Sequence, residues 1–322
     1  MKKIIAVMAA CTALCMGLMT GCGSSESADY TVGIVQLVEH TALGEANKGF
    51  QEELNRLMSE AGKTVKINNQ IASGDQSSCQ TCAKVLVSNK VDLILGIATP
   101  AAQAVAGETQ SIPVLFTAVT DAVDAKLVAS NEVPGGNVSG TSDLNPVAKQ
   151  MDVITKMVPG ITKLGVLYNV AESNSKIQLN MVKDFCQENN IEVVEGGITA
   201  ITEVEAAFLK MKDVQAIYIP TDNMIANGAA TIHAKNIDMG LKLPIVCGES
   251  GMNDICGIAT YGVDYYQLGK QTAKMAFEIL VNGSDISKMP VTILEDTPFT
   301  INQQVADEIG FTIPQAVLDL AK

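Results

Sequence analysis

The chain alternates short apolar runs with longer amphipathic stretches. The apolar runs are rich in Val, Ile and Leu and predict buried strands, at 31–37, 64–70, 91–97, 112–117, 163–168, 191–195, 214–219, 243–247 and 257–261. The amphipathic stretches predict helices at 42–61, 76–89, 100–109, 145–157, 174–189, 202–211, 223–239 and 264–282. This alternation predicts an α/β fold built from right-handed β-α-β units, with parallel sheets covered by helices on both faces.

The two halves of the chain repeat one plan. In each half an apolar strand ends and a polar loop opens the next helix. Three segment pairs match in the same order: VGIVQLVEHTAL (32–43) with LGVLYNVAESNS (164–175), VDLILGIATPAAQ (91–103) with VQAIYIPTDNMIA (214–226), and SIPVLFTAVTD (111–121) with KLPIVCGESGM (242–252). The shared order favours a duplication, so we expect two similar α/β lobes.

The repeat also predicts where a ligand binds. In open parallel sheets the binding crevice lies outside the carboxyl ends of the strands. In this chain those ends carry loops rich in short polar side chains: EHTA (39–42), ATPAA (98–102), AVTDA (118–122), AESNS (171–175), PTDNM (220–224) and GESGM (248–252). If the lobes face each other, these loops line a single cleft.

Several loop residues are suited to a small charged ligand. Thr99 and Pro100 form a favourable helix start, whose free N–H groups and dipole suit an anion such as a carboxylate. Asn174 and Ser175 could bind an anion in the same way from the opposite lobe. Glu39 and Asp222 are natural partners for an ammonium group. The candidate ligand-binding residues are Glu39, His40, Thr99, Ala101, Thr120, Asp121, Asn174, Ser175, Thr221, Asp222, Asn223 and Tyr261.

Each candidate has a simpler alternative. Thr, Ser, Asn and Asp are the usual capping residues at junctions between strands and helices. His40 is equally compatible with a ligand contact and with a cap. Capping alone does not explain an acid on both sides of the cleft, and this pairing favours ligand binding for the group as a whole.

The N-terminus has the pattern of an export signal. Lys2 and Lys3 precede an apolar segment at 4–19, and Met19-Thr20-Gly21-Cys22 leads into a polar run at 23–29. The pattern resembles a bacterial lipoprotein signal, which implies a signal peptide at 1–21, a lipid on Cys22 and a flexible tether at 22–30. The alternative is an ordinary secretory signal with an incidental cysteine, and either interpretation predicts export.

Composition excludes several classes of protein. The chain has 322 residues, with 35 acidic and 22 basic side chains and a net charge of -13. A nucleic-acid-binding protein needs a basic face, which this balance argues against. The apolar content of 47% excludes a disordered chain. After the N-terminal segment, no apolar run is long enough to cross a bilayer.

The sequence offers little for metal or redox chemistry. After Cys22 there remain Cys79, Cys82, Cys186, Cys247 and Cys256, an odd number that leaves at least one free thiol in an exported protein. Cys79 and Cys82 form a C-x-x-C, which could be a redox pair or half of a metal site. No second C-x-x-C follows, and the two histidines lie far apart in sequence. We therefore expect small buried cysteines, no metal and no cofactor.

No enzyme motif is present. The chain lacks a G-x-S-x-G elbow, a P-loop and an H-E-x-x-H, and no nucleophile and base occur at a recognisable spacing. A DNA-binding regulator of similar fold would need a helix-turn-helix where this chain has its export signal. We expect a binding protein, not an enzyme.

A specific family resemblance emerges from motifs that occur in a fixed order. They are EHTALGEANKGF (39–50), IATPAAQA (97–104), FTAVTDAVDAKLV (116–128), PGGNVSGTSD (134–143), GVLYN (165–169), NS (174–175), PTDN (220–223) and ATYGVDYYQLGKQTAKMA (259–276). Together, over roughly 31–315, the chain resembles the TrpX-type family of ABC-transporter substrate-binding lipoproteins. The resemblance implies the type I periplasmic-binding-protein fold, with two Rossmann-like lobes joined by a three-segment hinge.

The hinge is expected near 136–143, near 248–262 and near Met289. On that basis lobe 1 comprises 31–140 plus 257–288, and lobe 2 comprises 141–256 plus 289–322. The resemblance implies an amino-acid ligand, aromatic or branched apolar, held by the loops of Thr99 and Asn174 at one end and by Asp222 at the other. Aromatic and apolar candidates for the pocket wall are Phe116, Tyr168, Tyr218, Met224, Tyr261 and Tyr265.

The implied partners are an ABC permease and its ATPase, with a lipid anchor in the membrane. The implied location is the outer face of the cytoplasmic membrane or the periplasm. Two alternatives remain open: a sugar or nucleoside as the ligand, since this fold carries them too, and a role as surface adhesin or sensor subunit that uses the same cleft.

Overall fold

The computed structural model of the protein describes residues 28–294 and 296–321. It contains two six-stranded sheets with helices packed on them, which confirms the predicted α/β architecture with parallel sheets. The expected signal peptide at 1–21 and the predicted lipid site at Cys22 lie outside the described residues. The expected tether at 22–30 lies mostly outside them, and its last residue, Tyr30, already begins the first strand.

The strands are β1 (Tyr30–Gln36), β2 (Val65–Ile71), β3 (Leu93–Ile97), β4 (Val114–Val119), β5 (Val138–Ser142), β6 (Lys163–Asn169), β7 (Glu192–Ile198), β8 (Ala216–Ile219), β9 (Ile245–Cys247), β10 (Ala259–Tyr261), β11 (Thr292–Ile293) and β12 (Phe299–Ile301). The helices are α1 (Thr41–Glu60), α2 (Gln76–Ser88), α3 (Thr99–Glu108), α4 (Val147–Met157), α5 (Ser173–Glu188), α6 (Val204–Lys210), α7 (Asn223–Asn227), α8 (Ala229–Asp238), α9 (Ser250–Asn253), α10 (Tyr265–Leu280), α11 (Gln303–Ile309) and α12 (Gln315–Leu318).

Lobe 1 is built on the first sheet, whose strand order is β11-β5-β4-β3-β1-β2, with all described pairs parallel. Strands β3, β4 and β5 are fully buried, as strands covered on both faces should be. Helix α10 packs against α1 so closely that a Cβ at Gly269 would lie 1.9 Å from the carbonyl oxygen of Ala46. Only glycine permits this approach of the two backbones.

Lobe 2 is built on the second sheet, with strand order β12-β10-β9-β8-β6-β7. Its strands are parallel except for β12, which runs antiparallel to β10. Its core is divided between the two faces of the sheet, with Tyr218 and Val246 on one side and Phe208 and Ile217 on the other. The expected helix at 223–239 is instead two helices, α7 and α8, which meet at Gly228.

The expected lobe boundaries are wrong at two places. The prediction puts residues 257–262 in lobe 1, but β10 pairs with β9 and β12 in the second sheet. It puts residues 289–294 in lobe 2, but β11 pairs with β5 in the first sheet. The chain therefore crosses between lobes after β5, after β10 and after β11. Both misplaced strands have only two or three residues, too few for a hydrophobic pattern to reveal which sheet they join.

Helix starts within the lobes follow local capping chemistry. Asp75 accepts a hydrogen bond from the Ser78 N–H at the start of α2, and Asp264 accepts one from the Gln267 N–H at the start of α10. In lobe 2, Asn302 caps α11 in the same way. Across the described residues, no helix combines the length and apolar composition needed to span a bilayer.

Candidate functional site

The two lobes meet at the carboxyl ends of their strands and enclose a small cavity of about 10 Å³. Two hydrogen bonds cross the gap directly. The hydroxyl oxygens of Thr120 and Thr221 lie 3.3 Å apart, and His40 Nε2 lies 3.4 Å from Asn223 Oδ1. Each pair joins a lobe 1 loop to a lobe 2 loop, so the structure is closed around the cavity.

The cavity wall combines polar loop residues with a few apolar side chains from helix starts. Its lining consists of His40, Leu43, Ala118, Thr120, Asp143, Asn174, Thr221, Asp222, Asn223, Ala226, Glu249 and Tyr265. Among the described residues that line it, none is lysine or arginine. The cavity therefore presents carboxylates, amides and hydroxyls, without a cationic side chain.

Glu172 organises the lobe 2 wall from behind. Its carboxylate accepts hydrogen bonds from the side-chain amides of Asn169, Asn174 and Asn223 and from the backbone N–H groups of Asn223 and Met224. These five donors tie the loop after β6 to the loop after β8. The wall is consequently fixed before any ligand arrives.

Asp222 is buried in the same wall and is well supplied with donors. One carboxylate oxygen accepts the backbone N–H of Asn169 at 2.6 Å and the hydroxyl of Ser175 at 2.7 Å. The other caps α7 by accepting the Ile225 N–H at 3.0 Å. Burial and the nearby Glu172 raise the pKa of Asp222 to about 7, although these three donors oppose the shift.

Glu249 follows β9 and closes another side of the cavity. Its carboxylate accepts the backbone N–H groups of Gly251 and Met252, both at 2.6 Å. Burial raises the pKa of Glu249 to about 7, and the negative charges of Asp254 and Asp143 act in the same direction.

The lobe 1 wall contains strained backbone. Ala98 precedes α3 with φ of 81° and ψ of 154°, and Ala118 lies at a break in the β4–β5 register with φ of 57°. Residues with a Cβ rarely adopt such angles, and strain of this kind concentrates at binding sites. Next to this backbone, Thr120 and Tyr265 donate hydrogen bonds to Asp143 at 3.3 and 2.7 Å.

Two buried polar atoms at helix starts have no protein partner. They are the hydroxyl oxygen of Thr99, at the start of α3, and Oδ1 of Asn174, at the start of α5. Thr99 is 2% exposed and Asn174 is 3% exposed. Buried polar atoms nearly always find a partner, so the orphaned Oδ1 of Asn174, a residue that lines the cavity, points to a ligand or water that binds there.

His40 enters the cleft as a neutral ring. Asn223 Oδ1 acts as an acceptor because its Nδ2 donates to Glu172, so His40 Nε2 must carry the proton that links them. Burial lowers the pKa of His40 to about 4. His40 therefore contributes a hydrogen-bond donor and an aromatic face, and no positive charge at neutral pH.

The structure brings half of the predicted site residues to the cavity and spreads the rest around it. Those that line the cavity are His40, Thr120, Asn174, Thr221, Asp222 and Asn223. Ser175 stands behind Asp222, and Thr99 and Ala101 are buried in the first turn of α3.

Three predicted residues lie elsewhere. Glu39 lies outside the cavity lining and accepts a hydrogen bond from the side chain of Gln36. Asp121 accepts the N–H groups of Val123 and Asp124 in its own turn, which is the capping alternative. Tyr261 packs on Phe299, with ring centroids 4.8 Å apart.

Sequence reasoning missed several wall residues. Glu172 and Glu249 stand in the loops AESNS and GESGM, which the sequence predicts to line the cleft, but no local signal singles them out within those loops. Asp143 ends the expected hinge motif, and Tyr265 is predicted only as a candidate wall residue. Leu43, Ala118 and Ala226 carry no chemical signal that a sequence could display.

The five cysteines within the described residues give no sign of a reactive site. Burial raises the pKa of Cys79 to about 12, which keeps it a thiol at neutral pH. Cys247 and Cys256 are both buried, with sulfur atoms 3.9 Å apart. No group of three or more His, Cys, Asp or Glu side chains in the described part of the chain could hold a metal ion.

Comparison with known proteins agrees with this geometry. A family model described as ABC transporter substrate binding protein matches residues 31–322. A tyrosine-binding protein of Clostridioides difficile (strain R20291) is 37% identical over 316 residues, covering 94% of this chain and 90% of that protein.

Two solved structures are informative as a pair. A domain from Streptococcus pneumoniae in complex with L-Trp is 36% identical, with a TM-score of 0.84, and covers 91% of this chain and 98% of that one. The second is the ligand-free, open structure of a Clostridium difficile substrate-binding protein with adhesive properties. It is 37% identical, with a TM-score of 0.68, and the match covers 88% of this chain and 96% of that one. Because the identities are nearly equal, the lower TM-score against the open structure agrees with the closed arrangement seen here.

Proposed function

This chain belongs to the family of ABC transporter substrate-binding proteins, and we propose that it captures an aromatic L-amino acid between its lobes and delivers it to a membrane permease. The observation that carries the proposal is the closed cavity, in which loops of both lobes meet around one small space. A ligand that contacts both walls favours the closed form through its higher affinity for that form.

The cavity wall suits the polar end of an amino acid. Asp143, Asp222 and Glu249 are buried acids that can face an ammonium group, and the hydroxyls of Thr120 and Thr221 can serve a carboxylate. Sugars and nucleosides carry no cation to offset these acids. The wall therefore favours an amino acid over the sugar or nucleoside alternative.

The aromatic class is supported by the apolar side of the site and by the relatives. Leu43 and Tyr265 line the cavity together with the neutral ring of His40, surfaces that suit an aromatic side chain. A neighbouring groove of about 360 Å³, partly open to solvent, lies between Pro100 of lobe 1 and Met224 of lobe 2. Two relatives above 35% identity are a tyrosine-binding protein and a domain in complex with L-Trp.

We further propose that the protein is exported and held at the outer face of the cytoplasmic membrane by a lipid on Cys22. The support is the sequence pattern at 2–29 together with the family, whose members bind solutes outside the cytoplasm. Mass spectrometry of the mature protein tests this proposal. A lipid-modified Cys22 as the first residue agrees with it, and an unmodified N-terminus at another residue contradicts it.

A ligand screen tests the binding function. The thermal midpoint of the purified protein is measured against each of the twenty L-amino acids, with ribose, glucose and adenosine as the alternative classes. We expect Trp, Tyr or Phe at 1 mM to raise the midpoint by several degrees, because binding to the folded state alone stabilises it. A shift with a sugar or nucleoside and none with any amino acid would overturn the proposal.

A second role as an adhesin is supported by one relative, the Clostridium difficile protein described as having adhesive properties. Beads coated with this protein are compared with beads coated with the same protein after thermal unfolding. Retention on epithelial cells by the folded protein alone supports adhesion, and equal retention of both contradicts it.

A further inference from the structure

We propose that Asp143, together with the side-chain oxygen of Asn174, forms the subsite that holds the ammonium group of the ligand. The inference rests on the proposed function, because it assumes that the ligand is an amino acid. It assigns the ammonium contact to the first crossing between the lobes, directly after β5, instead of to Asp222.

Asp143 accepts two side-chain hydrogen bonds, as many hydrogen bonds as Glu249 accepts and one fewer than Asp222, and both of its donors are side-chain hydroxyls. It is 4% exposed and accepts side-chain hydrogen bonds only from the hydroxyls of Thr120 and Tyr265. Within the described structure, its carboxylate accepts no hydrogen bond from the backbone of another residue and contacts no cationic side chain. A carboxylate has about four acceptor positions, so Asp143 keeps capacity for a further donor.

The other acids of the site are already committed to the protein. Asp222 caps α7 and holds the loop after β6 through Asn169 and Ser175. Glu249 accepts two backbone N–H groups at the start of α9. Both acids therefore accept backbone N–H groups at helix starts, whereas the donors to Asp143 are hydroxyls, which can rotate to accommodate a further donor.

Asn174 supplies the second acceptor. Its Nδ2 donates to Glu172 Oε2 at 3.1 Å and to the carbonyl oxygen of Thr221 at 2.8 Å. Both partners are acceptors, so the orientation of the amide is fixed and Oδ1 is the atom without a partner. Oδ1 can only accept, and the side chain lines the same cavity as Asp143. An ammonium group, with three donors and no acceptor, fits this pair.

Electrostatics favours the same assignment. A buried carboxylate without a cation is costly, and this cost disappears when a ligand supplies the positive charge. The cavity wall provides no such charge, because His40 is neutral there and no lysine or arginine of the described chain lines it. The site should therefore bind a ligand that carries an ammonium group more tightly than the same ligand without one.

The position of Asp143 connects ligand recognition to closure. It follows β5 at the first crossing, and its donor Tyr265 begins α10 just after the second crossing. The Asp143–Tyr265 hydrogen bond thus links two of the connecting segments. An ammonium group bound there contacts the hinge itself.

The test compares two ligands that differ only at the α-position. Calorimetry measures L-Trp, L-Tyr and L-Phe and, for each, the L-2-hydroxy acid in which a hydroxyl replaces the ammonium group. For the unmodified protein we expect the hydroxy acid to bind at least about 100-fold more weakly. Equal affinity for the two would overturn the subsite without any variant, while leaving the proposed function intact.

Substitutions then locate the contact. Asp143→Asn should weaken amino-acid binding about 100-fold and change hydroxy-acid binding less than about threefold, so the discrimination between the two ligands collapses. Asp213→Asn, at an exposed position before β8, removes the same charge and should change neither affinity. If Asp222→Asn removes the discrimination and Asp143→Asn keeps it, the assignment to Asp143 is wrong.

The outcomes separate the subsite from the binding function. Absence of binding by any aromatic amino acid would contradict the proposed function. Binding of an aromatic amino acid that Asp143→Asn leaves unchanged, in a variant whose thermal midpoint matches that of the unmodified protein, would contradict the subsite alone.

Discussion

The two walls of the cleft are built in opposite ways. On the lobe 2 side, Glu172 and Asp222 accept eight hydrogen bonds between them, five of which join the loop after β6 to the loop after β8. On the lobe 1 side, Ala98 and Ala118 hold strained backbone angles and the buried hydroxyl of Thr99 lacks a partner. The lobe 2 wall is held by this network, with Asn174 Oδ1 left without a partner, and the lobe 1 wall carries backbone strain.

This difference assigns separate tasks to the walls. The lobe 2 wall supplies a rigid surface whose shape is fixed by its own network, which is how a binding site limits the entropy lost on binding. Asp143 at the first crossing and Asn174 Oδ1 at the start of α5 supply acceptor atoms with unused hydrogen-bonding capacity. Substitutions in the network of Glu172 and Asp222 should therefore affect mainly stability, and substitution of Asp143 should affect mainly affinity.

The largest effect on stability is expected for Glu172→Ala. The substitution leaves buried amide donors of Asn174 and Asn223 unpaired, so we expect the free energy of unfolding to fall by about 4 kcal/mol. Urea unfolding followed by circular dichroism measures this. Glu188→Ala, at the exposed end of α5, is the control and should stay within about 0.5 kcal/mol. A similar small change at Glu172 would mean that the lobe 2 network does not hold the wall.

A pH dependence should follow from Glu249. Its folded pKa of about 7 lies above the ordinary value of 4.5, so the folded state binds more protons between these limits. Stability from this group is then highest below pH 4.5 and is lost as the pH rises toward 7. A glutamine side chain does not titrate, so the ligand-free Glu249→Gln variant should gain about 2 kcal/mol over the unmodified protein between pH 5 and pH 7.

Urea unfolding of both proteins at intervals of half a pH unit measures the difference. Parallel curves for the two proteins would contradict the predicted burial cost. A variant that loses relative stability with rising pH would contradict its sign.

The strain in lobe 1 predicts a stabilising substitution. Ala98→Gly relieves the positive φ before α3 and should raise the free energy of unfolding by about 1 kcal/mol. Ala104→Gly, within α3, is the matched control and should lower it by about 1 kcal/mol, because glycine is unfavourable in a helix interior. Thermal midpoints of the two variants should move in opposite directions. A decrease for both would show that Ala98 is not strained.

The smallest effect is expected at Thr99. Thr99→Val removes a buried hydroxyl that has no partner, so stability should change by less than about 0.5 kcal/mol or rise. Thr120→Val removes a hydroxyl that contacts Asp143 and Thr221 and should cost about 1 kcal/mol. Differential scanning calorimetry of the ligand-free proteins compares the two. An equal loss of stability for Thr99→Val and Thr120→Val would contradict the prediction that a paired hydroxyl stabilises the protein more than an unpaired one.

The sequence predicts the fold further than it predicts the site. Continuous apolar runs identify the central strands of both sheets, because burial on both faces leaves a clear pattern. The short strands β10 and β11 are assigned to the wrong lobes, because the sheet that each strand joins depends on partner strands distant in the chain. Asp143 shows the same limit, because its donor Tyr265 comes from a segment after the second crossing.

Loop composition predicts the cleft but cannot rank its residues. Asp121 and Asp222 are both acids at strand ends, yet the first caps an outer turn and the second is buried between loops. Tyr261 and Tyr265 are close in sequence, and only the second reaches the cavity because a lobe crossing separates them. Such distinctions depend on the tertiary arrangement of the lobes.

The most direct test is a crystal structure of the protein with L-Trp, L-Tyr or L-Phe, whichever binds most tightly. We predict that the amino acid is enclosed between the lobes, with its ammonium nitrogen within hydrogen-bond distance of the Asp143 carboxylate and of Asn174 Oδ1. An amino acid bound outside the cleft, or bound inside it with the ammonium group away from Asp143, would contradict this prediction.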